Sequence, residues 1–503
     1  MAGLLAVFAG LQAIILSLVN TIVKDDYMDE VFHGPQAREY CRGAFTAWHP
    51  KITTFPGIYY LGTLYGWARR AVQFFISPVG PDAACTTPFL RSLNVVLSIA
   101  CLATLHAILQ QQRRRGPAAV AASAACPPAL HATLLALYPL HWFFSFLFYT
   151  DVASLLFLLL CQLQASRRRY RTAALAGAAA VLCRQTNAVW TAFVLGEAAL
   201  AELGLLRPLG RAAAAQLEER GSRTTPYCTR AEGREERGGA AAAGADSVSE
   251  GSCRGPAAAE EGLTDGLVSE LQLALVRAWT HRGALARTLW PLLLPPAGFV
   301  CFLLANGGSV VLGDKEAHRP VRHGAQLLYF AGWTAAMLGP QLLPAAVGGL
   351  ARGARRRPLA AAVVSVVAVV AAAAVAHVST MVHPYMLADN RHYVFYLWRR
   401  VLDRHALVKY ALAPTYALAW ALLVAALLRR VSRLWVLGFT VCLVAQLLPA
   451  WLLELRYFTP GFYLIALQLE PPTRLQALAM LALYGVVNAA TMYLFLYRPY
   501  TFA

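Results

Sequence analysis

The sequence predicts an all-α polytopic membrane protein, and two observations carry that prediction. Of 503 residues, 58% are hydrophobic and the mean hydropathy is +0.50, too apolar for a chain whose whole surface meets water. Apolar stretches long enough to cross a bilayer also recur along nearly the whole length, and they add up to about twelve or thirteen helices.

The first stretch, 3–23, exceeds the apolar core of a secretory signal, follows no basic segment and shows no small-residue cleavage site, so an uncleaved first span is expected. Stretches at 92–110, 118–138 and 150–166 follow, and 172–206 is long enough for two spans. Beyond them lie 288–306, 324–346, 359–381, 406–428, 433–453 and 475–497. Residues 207–287, with AEGREERGGAAAAGADSVSEG at their centre, are rich in Ala, Gly, Glu and Arg and read as a disordered cytoplasmic insert. It separates an N-terminal membrane region, 1–206, from a C-terminal one, 288–503.

The net charge of +18 does not point to nucleic acid, because the arginines come as short clusters between spans rather than as one basic stripe. Arg113 to Arg115, Arg167 to Arg169, Arg207, Arg355 to Arg357 and Arg429, Arg430 and Arg433 place their loops on the cytoplasmic side. The N-terminus is then cytoplasmic and the intervening loops lie across the membrane. The ten cysteines form no CxxC pair and imply neither zinc nor a disulfide framework; Cys41 and Cys85 both fall on the oxidising side, with no motif to pair them.

The loops opposite the arginine clusters hold nearly all remaining polar signatures. The first, 24–66, opens with Asp25, Asp26, Asp29 and Glu30, continues through His33 and Gln36 and reaches Trp48-His49-Pro50. Asp151 starts a span, Arg184-Gln185-Thr186-Asn187 joins two, and the loop at 307–323 carries Asp314, Lys315, His318 and His323. The loop at 382–400 carries His383, Asp389, Asn390, Arg391, His392 and Tyr393, a cationic group against the positive-inside trend that suggests an anionic ligand. Arginine suits phosphate through its planar fork of donors, which favours Arg391 for that role. The histidine spacings match no metal template. Taken singly, polar residues between helices are also common structural contacts, and acids beside a bilayer also serve simply to end a helix.

The segments MDEVFHGPQAREYC, WHPKITTFPG and HPYMLADNRHYVFYLWRR resemble the dolichyl-phosphate-glucose-dependent alpha-1,2-glucosyltransferases that add the last glucose to the N-glycan precursor. The resemblance extends to RQTN at 184–187, GDKEAHRPVRHGAQLLYF at 313–330 and LLELRYFTPGFY around Arg456. It implies a GT-C-type glycosyltransferase in the endoplasmic-reticulum membrane with a luminal pocket and no metal or other cofactor. Its partners would be dolichyl-phosphate-glucose, a diglucosylated lipid-linked oligosaccharide on dolichyl diphosphate, and membrane lipid. Where that family has Trp-Asp-Pro this chain has Trp48-His49-Pro50, and RYFTPG replaces RYFILP.

On that resemblance the catalytic base is an acid of the first luminal loop, Asp29 first and Glu30 second. Arg391, His392 and Lys315 are expected at the donor phosphate. His33, Gln36, Trp48, Asp151, Arg184, Gln185, Asn187, Asp314, His318, His383, Asp389, Asn390, Tyr393 and Arg456 are expected around the substrates. The alternatives are a polyprenyl-phosphate-sugar transferase with another acceptor and a transporter or channel modulator; the latter would show paired halves with broken helices, and no such repeat is visible.

Overall fold

A computed structural model describes residues 1–74, 76, 80–115, 125–208, 266–388 and 393–498. The described residues form helices and no strand, as the recurring span-length apolar stretches predict. Six of these helices are long and apolar enough to cross a membrane: Ala2–Ile22, Pro81–Arg114, Arg282–Ala305, Pro358–Ser379, Val408–Leu427 and Arg474–Tyr497. The pair Ala325–Met337 and Gly339–Arg356 is apolar and long enough together but bent by 83°, the form of a broken span or a re-entrant loop. Thr150–Ser166, Tyr170–Cys183 and Arg433–Leu447 are apolar but shorter.

The stretches expected as unbroken spans are therefore often interrupted, for local reasons. Pro139 starts a new short helix, Pro139–Phe144, after Pro128–Ala136 has ended. The polar run from Arg184 to Thr186 separates Tyr170–Cys183 from Asn187–Glu202. The segment expected to be disordered over 207–287 is helical from Leu267 to Thr280 and again from Arg282; the helix at Leu267 is fixed by buried Glu270, which accepts from Arg433 at 2.9 Å and from the Leu434 N–H at 3.2 Å. Positions 209–265 of that insert lie outside the described residues.

Aromatic packing joins the two membrane regions into one core. Tyr138 stacks on Phe462 with ring centroids 3.7 Å apart, and the Trp190 indole donates to Gln446 at 2.9 Å. The Pro358–Ser379 helix, by contrast, turns Val363, Val364, Val366 and Val367 outward, the surface expected against lipid tails rather than water.

The helices give the molecule two chemically different ends. Thr150–Ser166 has Asp151 in its first turn and is followed by Arg167, Arg168 and Arg169; Tyr170–Cys183 leads back to Arg184; Arg433–Leu447 runs from an arginine end to the loop containing Glu454 and Arg456. One end collects acids, histidines and aromatic residues, and the other collects arginines.

Candidate active site

The turn after the first span is set by Glu30 and Arg91, both fully buried and paired at 2.6 Å. Glu30 also accepts from the N–H groups of Tyr27 at 3.0 Å and Phe148 at 2.7 Å, while Arg91 donates to the carbonyls of Val23 at 2.8 Å and Asp25 at 3.1 Å. Every oxygen of Glu30 is thus committed to the scaffold, and no face of it reaches a substrate. This overturns its expected place as the second candidate base: a carboxylate without access cannot take a proton from an incoming hydroxyl.

Its neighbour Asp29 stands in the opposite situation. Its N–H donates to the Tyr149 hydroxyl at 2.7 Å, and its carboxylate receives Arg456 at 3.1 Å. Arg456, carried by the short turn Leu455–Phe458, meets two further carboxylates, Glu454 at 2.9 Å and Asp151 at 3.7 Å, and Arg184 pairs with Asp151. The Tyr149 ring lies 5.3 Å from the Arg456 guanidinium carbon, and the Tyr457 ring 5.0 Å from that of Arg184. Three carboxylates thus face two guanidiniums. Asp29 alone is open, its side chain 40% exposed against 8% for Asp151, 11% for Glu454 and 10% for Arg456.

Electrostatics follow from this arrangement. Burial would raise the Asp29 carboxyl, but the Arg456 guanidinium, with Arg184 behind it, outweighs burial and holds it below the usual carboxylate range. His33, on the Glu30–Cys41 helix, is pushed down to about 4 by burial, so it is neutral near pH 7 and shares a 2.6 Å hydrogen bond with the Tyr59 hydroxyl. Asp29 is accordingly an ionised acceptor, restrained by a cation that can itself engage a phosphate.

A second layer roofs the cluster. The N–H groups of Leu312, Gly313 and Asp314 donate to the carbonyls of Thr53, Ile52 and Pro50, each at 3.1 Å. Gly313 is needed there, since a Cβ would lie 2.1 Å from the Pro50 carbonyl oxygen. Asp314 takes Tyr385 at 3.1 Å and Lys51 at 3.5 Å, and His318 contacts its carbonyl at 3.1 Å. His383 packs edge-on against Trp451 at 4.6 Å, and Gln326 and His323 hold the carbonyls of Ala450 and Trp451. The Arg456 loop is fastened from both sides.

Of the residues expected at a site, Asp29, Asp151, Arg184 and Arg456 meet directly, with His33 and Trp48 joined through Tyr59. Asp314, His318 and His383 form the roof. Gln36 binds the Ala47 carbonyl and the His49 N–H, Gln185 donates to Thr53, and buried Asn187 donates to Ser154, so these three shape loops and helix contacts. Lys315 is exposed and donates to the Asn306 amide oxygen at 2.7 Å, outside the ion pairs of the cluster. Tyr393 packs its ring against Phe143. Asp389, Asn390, Arg391 and His392 lie outside the described residues.

Glu454 and Tyr149 stand out in the sequence only with their segments, two positions from Arg456 and Asp151, and without a role of their own. It also left Cys41 and Cys85 unpaired, whereas they form a disulfide, with Cα atoms 6.6 Å apart. The bridge fastens the end of the Glu30–Cys41 helix beside the start of Pro81–Arg114, and it suits an oxidising compartment. Among the described residues no three His, Cys, Asp or Glu side chains are grouped to hold a metal ion.

Comparison with known proteins places these residues in context. The model of the DIE2/ALG10 family matches residues 23–467. The chain is 34% identical over 495 residues to the Dol-P-Glc:Glc(2)Man(9)GlcNAc(2)-PP-Dol alpha-1,2-glucosyltransferase of Arabidopsis thaliana, covering 96% of this chain and 94% of that one. It is 31% identical over 503 residues to the protein of that name from Rattus norvegicus, with 97% and 93% covered, and 33% over 482 residues to that from Drosophila melanogaster, with 95% and 91% covered. No solved structure matches the chain.

Proposed function

The chain belongs to the DIE2/ALG10 family, and from that premise we propose that it transfers glucose from dolichyl-phosphate-glucose to the terminal glucose of a diglucosylated lipid-linked oligosaccharide, forming an alpha-1,2 linkage. The reaction takes place in the endoplasmic-reticulum membrane, with the acid-rich end of the molecule in the lumen. The observation that carries this reading is the open Asp29 carboxylate held against Arg456 in a group of three acids and two arginines.

The 2-hydroxyl of the acceptor glucose attacks the donor's anomeric carbon in line while Asp29 takes the hydroxyl proton. The bond from that carbon to the phosphate oxygen breaks, its electron pair leaves with dolichyl phosphate, and the configuration inverts. Arg456 turns from Asp29 to the departing phosphate, which neutralises the leaving group and frees the base in one movement. Arg391 and His392 remain the further cations assigned to that phosphate by their sequence. An apolar cavity of about 330 Å³, lined by Tyr329, Trp333, Trp398, Tyr416, Leu453 and Leu455, begins beside Glu454 and suits the polyprenyl chain.

The experiment is transfer by purified protein in detergent, given dolichyl-phosphate-glucose and the diglucosylated acceptor, with product mass and linkage determined in the presence and absence of a chelator. One added alpha-1,2-linked hexose, with or without chelator, supports the reading. A folded sample that adds no hexose overturns it.

A further inference from the structure

At the arginine end, a helix length or roughly 25 Å from Asp151 along Thr150–Ser166, a cavity of about 340 Å³ opens between the start of Tyr170–Cys183 and the Arg282–Ala305 helix. Arg168, Arg169, Arg171 and Arg287 line it, with Thr172 and Trp290.

Few carboxylates face these arginines. Two arginines of this end have acid partners, Arg433 with Glu270 at 2.9 Å and Arg429 with Glu470 at 3.1 Å. Around the cavity only Arg168 has such a partner, Glu202 at 3.4 Å; among the described residues no carboxylate pairs with Arg169, Arg171 or Arg287. Arg168 takes φ +59° as the left-handed cap that ends Thr150–Ser166, with the Arg169 N–H donating to the Gln164 carbonyl and the Arg168 N–H to that of Ala165, both at 2.9 Å.

Beneath the arginines the surface turns apolar at once. Trp290, of a residue type that favours the headgroup boundary, is 49% exposed on the cavity wall, and exposed Leu293 and Leu294 follow it one turn further along the same helix. Several guanidinium forks above an interfacial Trp and an apolar helix face match an anionic headgroup with its acyl chains below.

We propose that this cavity binds the headgroup of an anionic phospholipid in the leaflet at the arginine end. The site is separate from the Asp29 cluster, and nothing in the transfer reaction requires it.

The test is native mass spectrometry of the purified full-length protein titrated with phosphatidylinositol or phosphatidylcholine. Wild type is expected to retain phosphatidylinositol in preference to phosphatidylcholine. R169Q/R171Q/R287Q is expected to lose that adduct about tenfold or more, while R355Q/R356Q/R357Q, at another basic cluster of the same end, keeps it. The single variant R287Q, at an exposed side chain, gives a severalfold loss and serves should the triple variant not fold. Equal retention of the two lipids, or equal loss in both triple variants, overturns the proposal. Displacement of phosphatidylinositol by millimolar inorganic phosphate also overturns it, in favour of a site for soluble anions.

Discussion

Arg456 donates to the Asp29 carboxylate at 3.1 Å across 427 positions of sequence, so the proposed base and its restraining cation come from opposite ends of the chain. Asp29→Asn is expected to lower the transfer rate by about 10²- to 10⁴-fold, the usual worth of a positioned base. The melting temperature should change little, because a carboxylate this exposed draws little stability from its pair. Rate and thermal melt on one preparation check this; an unimpaired rate removes Asp29 from the mechanism.

Glu30→Gln should do the reverse. Taking one charge from the fully buried pair with Arg91 strands the other, at a cost of roughly 3–5 kcal/mol. The readout is a large drop in melting temperature, with turnover per folded molecule preserved below the transition. A variant that melts normally yet is inactive would return Glu30 to the role of base.

His33 gives a pH dependence of defined sign. Its folded value near 4 lies below the ordinary 6.5, so as pH falls the unfolded chain binds the proton first and the native state loses ground. Between pH 6.5 and 4 this amounts to about 3 kcal/mol. Asp29 behaves similarly at a lower pH: its folded value is depressed, so its contribution is present at neutral pH and disappears only as strong acid protonates it. Melting curves of wild type and His33→Asn across this range should converge on acidification, and parallel curves would contradict the assignment.

Cys41 and Cys85 should resist a thiol reagent in unreduced microsomes. Closing a loop whose ends are 44 residues apart is worth about 4 kcal/mol in the chain-entropy account, so Cys85→Ser should melt markedly lower. Alkylation and mass mapping before and after reduction provide the check. Free thiols at both positions would argue against a luminal first loop.

What could be read in advance follows from the range of the forces involved. Apolar composition is local, so the helical membrane architecture was legible, as were Asp29, Asp151, Arg184 and Arg456, which stand out as charges beside apolar runs. Asp29 and Glu30 look equivalent as letters; only Arg91, 61 positions from Glu30, separates the open carboxylate from the buried one. The disulfide was hidden because spacing alone does not pair two cysteines 44 apart. Span lengths were overread at Pro139 and at Arg184 to Thr186, where a proline or a polar run interrupts an otherwise apolar window.

The separation of Asp29 from Arg456 also sets a schedule for biosynthesis. At about 5–20 residues per second, a ribosome needs roughly 20–85 s to travel the 427 positions between them. The Glu30–Arg91 pair and the Cys41–Cys85 bridge span only 61 and 44, so the first loop can settle while most of the chain is still unmade. Asp29 then sits in a loop anchored early, whose Pro50–Thr53 stretch is fastened once Leu312 to Asp314 are made, and a nascent chain cut short before Leu455 would hold the proposed base without its restraining cation.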